Sequence, residues 1–215
     1  MSVFFDRLDM VSISLLVISV LGFLVYLALL NQPTSLKRTI AKTVAVGALA
    51  VLAFHLGGPV LLVLALALSA AGDAFLAHEG DPAFLGGLGS FLLAHIAYAV
   101  LFVVSGPGLA AAPVPGIVAV VVFALVMGTL MIRNAGALAA PVAAYLLAIC
   151  VMGLGGVTLG GLVLLGAALF MASDAILGSE KFLMSGTSPL RRLTAPAVWV
   201  LYYAGQALIT LGLLT

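Results

Sequence analysis

Charge is what this sequence has least of. Eight Lys or Arg and seven Asp or Glu are spread over 215 residues, so 7% of the chain is charged, where a soluble domain carries about 25%. With 65% hydrophobic residues and a mean hydropathy of +1.37, that shortage excludes a water-soluble globule and marks an integral membrane protein. The net charge is +1 and no basic stripe is present, which excludes nucleic acid as a partner. The single cysteine, Cys150, excludes an internal disulfide. There is no HExxH and no GxSxG, so neither a zincin-type centre nor a serine nucleophile is indicated. A metal site drawn from His55, Asp73, His78, His95 and Asp174 stays open as an alternative, with no clustered histidine pair to argue for it, and the reading calls for no metal and no cofactor. The opening MSVFFDRLDM mixes Asp6, Arg7 and Asp9, and lacks the positive region, short apolar core and cleavage site of a signal peptide.

Long apolar runs are what the chain has instead. A spanning helix takes about 20 apolar residues, and reading between turn signals gives eight runs, at 10–30, 40–56, 59–78, 83–104, 114–132, 137–154, 158–178 and 195–214. The expected fold is all-α, a polytopic membrane bundle of about eight helices forming one domain over 1–215. Breaks are expected at Asn31 to Pro33, Gly57 to Pro59, Glu79 to Pro82, Gly106 to Pro115, Arg133-Asn134, Gly153 to Gly156, and a polar link from Ser179 to Thr194. Thr194 followed by Pro196 reads as the N-cap of the last helix.

Orientation follows from the basic residues. Lys37, Arg38 and Lys42 fall at the first link, Arg133 at the fifth, and Lys181, Arg191 and Arg192 at the seventh. The positive-inside rule puts these links in the cytoplasm and both termini outside it, with Arg7 as the exception. Compact loops and a bias to Ala, Gly, Leu and Val point to a bacterial inner (cytoplasmic) membrane.

The chain is organised around Ser69 to Phe102, where Asp73 sits in one apolar run and His95 and Tyr98 in the next. An ionisable group in such a run costs about 2.5 to 3.5 kcal/mol at mid-bilayer, so it is expected to have a partner or a task. Residues 167–178 repeat the local pattern, with Asp174 where Asp73 stands. The likeness suggests a weak internal repeat, roughly 10–104 and 114–214, and thus two four-helix halves; duplicated membrane folds often place their site between the halves. Phe84, Gly87, Phe91, His95 and Tyr98 recur on one helical stripe, which should face the bundle interior. Ser69 lies one turn before Asp73; Gly166 and Phe170 precede Asp174; Tyr202, Tyr203 and Gln206 give the last helix a polar face. The plainer alternatives are that Asp73 bonds a neighbouring backbone or Lys42, that His95 is a buried hydrogen-bond partner, that His55 is structural or interfacial, and that His78, Glu79 and Asp81 are solvated in a turn.

Two carboxylates in a low-dielectric cavity can divide labour, one holding a proton while the other stays ionised. Such a pair protonates a substrate and steadies the oxocarbenium ion that results, as in glycoside hydrolysis. Proton coupling in a lysolipid or small-amphiphile transporter or flippase also uses intramembrane Asp residues. A silent membrane scaffold would use them for nothing.

Gly72-Asp73-Ala74-Phe75-Leu76, the stripe Phe84, Gly87, Phe91, His95, Tyr98, then Gly166 to Asp174 with Phe182, and finally Tyr203 with Gln206, resemble the YhhN-like lysoplasmalogenase family. The resemblance runs from Lys42 onward and implies about eight membrane helices and hydrolysis of the vinyl ether bond of lysoplasmalogens, releasing a fatty aldehyde and glycerophosphoethanolamine or glycerophosphocholine. A hydrolase of a different lipid is the nearest alternative. The family's acidic positions fall on Asp73 and Asp174 and its membrane-embedded basic position on Lys42; where members often have proline next, this chain has Thr43. The candidate catalytic residues are Asp73, Asp174 and His95. The candidate substrate-binding residues are Lys42, Ser69, Phe91, Tyr98, Phe170, Ser173, Tyr203 and Gln206. The expected partners are a lysophospholipid substrate and membrane lipids.

Overall fold

A computed structural model describes residues 8–215, and it is all helical. Eight α-helices run in order: α1 (Met10–Leu29), α2 (Leu36–His55), α3 (Val60–Leu76), α4 (Asp81–Ser105), α5 (Val114–Asn134), α6 (Ala139–Leu159), α7 (Gly161–Phe182) and α8 (Arg191–Leu214). Single 3-10 turns, Leu109–Ala111 and Gly136–Leu138, precede α5 and α6. Six helices are long and apolar enough to cross a membrane, namely α1 and α4 to α8. Of the other two, α3 has 17 residues and α2 begins with Lys37, Arg38 and Lys42. Large apolar side chains lie exposed along these helices, Leu21, Val100, Leu125 and Leu147 among them, as expected where the outer surface meets hydrocarbon and not water.

The chain divides into two compact units, one ending at Leu101 and taking in Thr210–Thr215, the other Phe102–Ile209. In the first, α1 packs on α2 and α2 on α3. Asp9 caps α1 by accepting the Ser12 amide at 2.8 Å. Ser12, Ser19, Gly22 and Tyr26 form one buried stripe at helical spacing. Small residues let the backbones meet there: Ser19 Oγ donates to the Ala45 carbonyl at 2.5 Å, and a Cβ on Gly22 would stand 2.9 Å from the Ala45 nitrogen. Between α3 and α4, Phe91 fills the space above Gly72, Phe75 that above Gly86, and Leu76 that above Gly87, while Ser90 Oγ donates to the Leu68 carbonyl at 2.7 Å.

In the second unit α5 packs on α6 and α6 on α7, with Met131, Ala135 and Val142 buried against Met127, Leu146 and Phe182. Helices α7 and α8 cross at Gly166 and Gly205, where a Cβ on either would come within 2.8 Å of the other's carbonyl oxygen.

Three expected boundaries are corrected. Gly153 to Gly156 do not break the chain; α6 runs through them to Leu159, and the break falls at Gly160-Gly161, both with positive φ. A backbone in hydrocarbon keeps its hydrogen bonds within the helix, so these glycines serve packing instead: Met171 lies over Gly153, Phe102 over Gly155 and Ala167 over Gly156. The polar link is shorter than expected, because α7 continues to Phe182. Thr194 is not an N-cap. It lies inside α8 with Pro196, and the chain already turns at Ser188 to Leu190, whose carbonyls accept the amides of Arg191 to Thr194. Arg191 holds that start by donating to the Glu180 and Ser185 carbonyls at 2.5 and 3.2 Å, and the Thr194 hydroxyl bonds the Glu180 carboxylate.

Candidate functional site

Asp73 is the fourteenth residue of α3, almost wholly enclosed, and its partner is Lys42 of α2. The ammonium stands 3.5 Å from Oδ1, and the two side chains are 11% and 1% exposed. Lys42 Nζ also lies 5.5 Å from the centre of the Tyr26 ring, and the Arg38 guanidinium lies 5.6 Å from the same ring. Tyr26 of α1 thus offers its π-electrons to two cations, an arrangement that gains strength away from water. The sequence shows why the elements meet there: alanines at 41, 45 and 48 let α2 lie close to its neighbours, and Ser69, buried one turn before Asp73, does the same for α3.

On α4, Phe91, His95 and Tyr98 are buried, His95 and Tyr98 completely. His95 Nδ1 lies 2.7 Å from the Phe91 carbonyl oxygen. A carbonyl only accepts, so Nδ1 bears the hydrogen, and in the neutral ring Nε2 presents the lone pair. Of the other histidines, His55 Nε2 is 3.0 Å from the Asp9 carboxylate, and His78 Nε2 is 3.4 Å from Thr39 Oγ1. The three histidines therefore have three separate local partners. Asp9 itself, capping α1 at its exposed end, is held down at about 2, first by the Ser12 amide and hydroxyl and then by His55.

Asp174 is the fourteenth residue of α7, half-buried, and accepts a 2.8 Å hydrogen bond from the Tyr145 hydroxyl of α6. Around it Phe170 is fully buried and meets Tyr202 edge-on at 5.3 Å. Ser173 donates to the Val198 carbonyl at 2.9 Å, so its hydroxyl ties α7 to α8. Trp199 stacks obliquely beside Tyr202 and Tyr203, and Gln206 is fully buried.

The sequence reading named Lys42, Asp73 and Asp174 but missed Tyr26 and Tyr145. A tyrosine in the middle of an apolar run, deeper than the interfacial belt, was the available signal for Tyr145. Nothing local announces Tyr26 as a cation partner, because the pairing depends on how α1 is rotated against α2.

Apolar helices of spanning length with paired acid, base and phenol groups set inside them define a polytopic α-helical membrane protein that carries internal ionisable sites. The chain belongs to the YhhN family, whose family model matches residues 37–213, from the start of α2 to the last turn of α8. No curated protein and no solved structure matches it.

Proposed function

We propose that this protein hydrolyses the vinyl ether bond of lysoplasmalogens, releasing a fatty aldehyde and a glycerophospho-ethanolamine or -choline. The observation that carries the reading is the enclosed Lys42–Asp73 pair, which falls on the acidic and basic positions expected of the family to which the chain belongs. The chemistry asks for acid and charge. Protonation of the β-carbon gives an oxocarbenium ion; water adds to it as a hemiacetal, which collapses to aldehyde and alcohol as the proton is returned. Asp73 and Asp174 are the two acidic groups the reaction calls on. Asp73, already in an ion pair, is assigned to steady the cation, and Asp174, whose partner is a neutral phenol, to proton delivery. His95, with its tautomer set by the Phe91 carbonyl, and Tyr98 are assigned to orientation.

The test follows fatty aldehyde release from a lysoplasmalogen by detergent-purified protein, with Asp73→Asn and Asp174→Asn alongside. Each variant should lose at least about 100-fold in kcat, the usual worth of a general acid, while eluting as the wild type does in size exclusion. Undiminished activity in both variants would overturn the carboxylate assignment. Wild-type protein that carries the lipid across a vesicle membrane without forming aldehyde would overturn the hydrolase in favour of transport.

A further inference from the structure

On the outer face of the second unit a groove of about 470 Å³ runs between α5 and α6. Its walls are Ala124, Leu125, Gly128 and Ile132 on one side and Leu146, Leu147 and Cys150 on the other, with Arg133 at one end. Gly128 makes the groove, since a Cβ there would find only Leu146, 3.8 Å away. The one hydroxyl in the wall, Thr129 Oγ1, is spent on the Leu125 carbonyl at 2.8 Å, so the lining is effectively apolar. From Ala124 to Arg133 the groove spans about 13 Å at 1.5 Å per residue. Leu125 and Leu147, on its two rims, are 66% and 67% exposed, so it opens on the side that meets lipid.

We infer that this groove holds one anionic phospholipid, its phosphate on Arg133 and the upper part of one acyl chain between α5 and α6. Charge complementarity selects the occupant. Among the described residues Arg133 has no hydrogen bond or ion pair, although it lies at the end of an apolar surface in the last turn of a spanning helix. A guanidinium there is matched by a group with two acceptor oxygens on one atom, and the bilayer supplies phosphates joined to a chain that fits the rest of the groove. A second apolar helix would fill the groove and leave the cation without its anion. Basic pockets at the ends of spanning helices take lipid headgroups on the same grounds.

Cys150 provides the readout, being the only cysteine in the chain and part of the groove wall. The full-length protein in detergent would be alkylated at Cys150 with a small maleimide while phosphatidylglycerol, or diacylglycerol with the same chains, is added; native mass spectrometry would count retained lipid. Phosphatidylglycerol should protect Cys150 and be retained at one per chain, with diacylglycerol weaker by about five-fold, the effect of one cation near an anionic headgroup. Arg133→Gln, at an exposed position, should erase that preference, Gly128→Leu should abolish both protection and retention, and Arg192→Gln should change neither. Equal retention of the two lipids, an unchanged preference in Arg133→Gln, the same loss in Arg192→Gln, or no retention by the wild type would each overturn the proposal.

Discussion

Lys42 and Asp73 bring opposite charges into a helical interior, and each makes the other tolerable. Removing one partner of an enclosed pair strands the other, at a cost of about 3 kcal/mol or more, whereas replacing both by neutral groups of similar shape is often harmless. Lys42→Met should therefore lower the Tm of the detergent-solubilised protein sharply, and Lys42→Met combined with Asp73→Asn should restore much of the loss; a double variant no more stable than the single would mean that the pair contributes little. The two ions were each legible in the sequence, because a charge in an apolar run stands out, and their pairing stood among the plainer alternatives. Tyr145 had a signal in its depth, but Tyr26 was not legible as a partner, since an apolar helix without a charge does not fix which of its faces turns inward. At the chain's exposed end the sign of the pH effect can be worked out. Asp9 is held at about 2, below its ordinary 3.8, so its capping contribution is fully present above 3.8 and is lost as pH falls through about 2. Protection of the Ser12 amide in hydrogen exchange should accordingly hold at pH 5 and fade only in strong acid, and Asp9→Ala should remove it at every pH.

Helix boundaries were misjudged where polar or glycine residues serve packing between helices. Read alone, Gly153 to Gly156 is turn chemistry and Thr194 with Pro196 is a helix start. In place, the glycines lie under Met171, Phe102 and Ala167, and Thr194 reaches the Glu180 carboxylate from within α8. Gly166, two turns before Asp174, stood out in the sequence beside that carboxylate, although its counterpart Gly205 was not singled out. The crossing of α7 and α8 gives a contrast between two glycines. A Cβ on Gly166 would sit 2.7 Å from the Gly205 carbonyl oxygen and 2.8 Å from the Ile209 nitrogen, backbone atoms that cannot swing aside, while a Cβ on Gly89 of α4 would meet nothing within 4 Å. Gly166→Ala should destabilise by about 1 to 3 kcal/mol, as overpacking does. Gly89→Ala should raise stability by about 0.5 to 1 kcal/mol through lost backbone freedom. Thermal unfolding in one detergent measures both, and equal Tm values for the two variants would show that the crossing is looser than its geometry.

For the whole chain, the class of protein follows from composition alone, but the number of crossings does not. Among the described residues six helices are long and apolar enough to span, and the remaining two, α2 and α3, are consecutive. Parity therefore protects the rest of the topology: whether this hairpin crosses twice or not at all, every later link keeps its side. Only the turn at Gly57 to Pro59 changes sides between the two cases. At 20 residues α2 is about 30 Å long, enough for the hydrocarbon core. Lys42, in its second turn, is paired with Asp73 and lies over the Tyr26 ring. A crossing hairpin is thus expected, with basic links in the cytoplasm; the exception read at Arg7 lies outside the described residues. In a Cys150→Ser background, Ser185→Cys in the link before α8 and Gly80→Cys in the link before α4 should react with an impermeant maleimide only from the cytoplasmic side, and Pro59→Cys only from the opposite side. Labelling of Pro59→Cys from the cytoplasm, with the other two unchanged, would make α2 and α3 a re-entrant pair. It would also move the Lys42–Asp73 pair from a membrane span into a cavity reached from the cytoplasm, and a lysolipid would then have to enter from that leaflet.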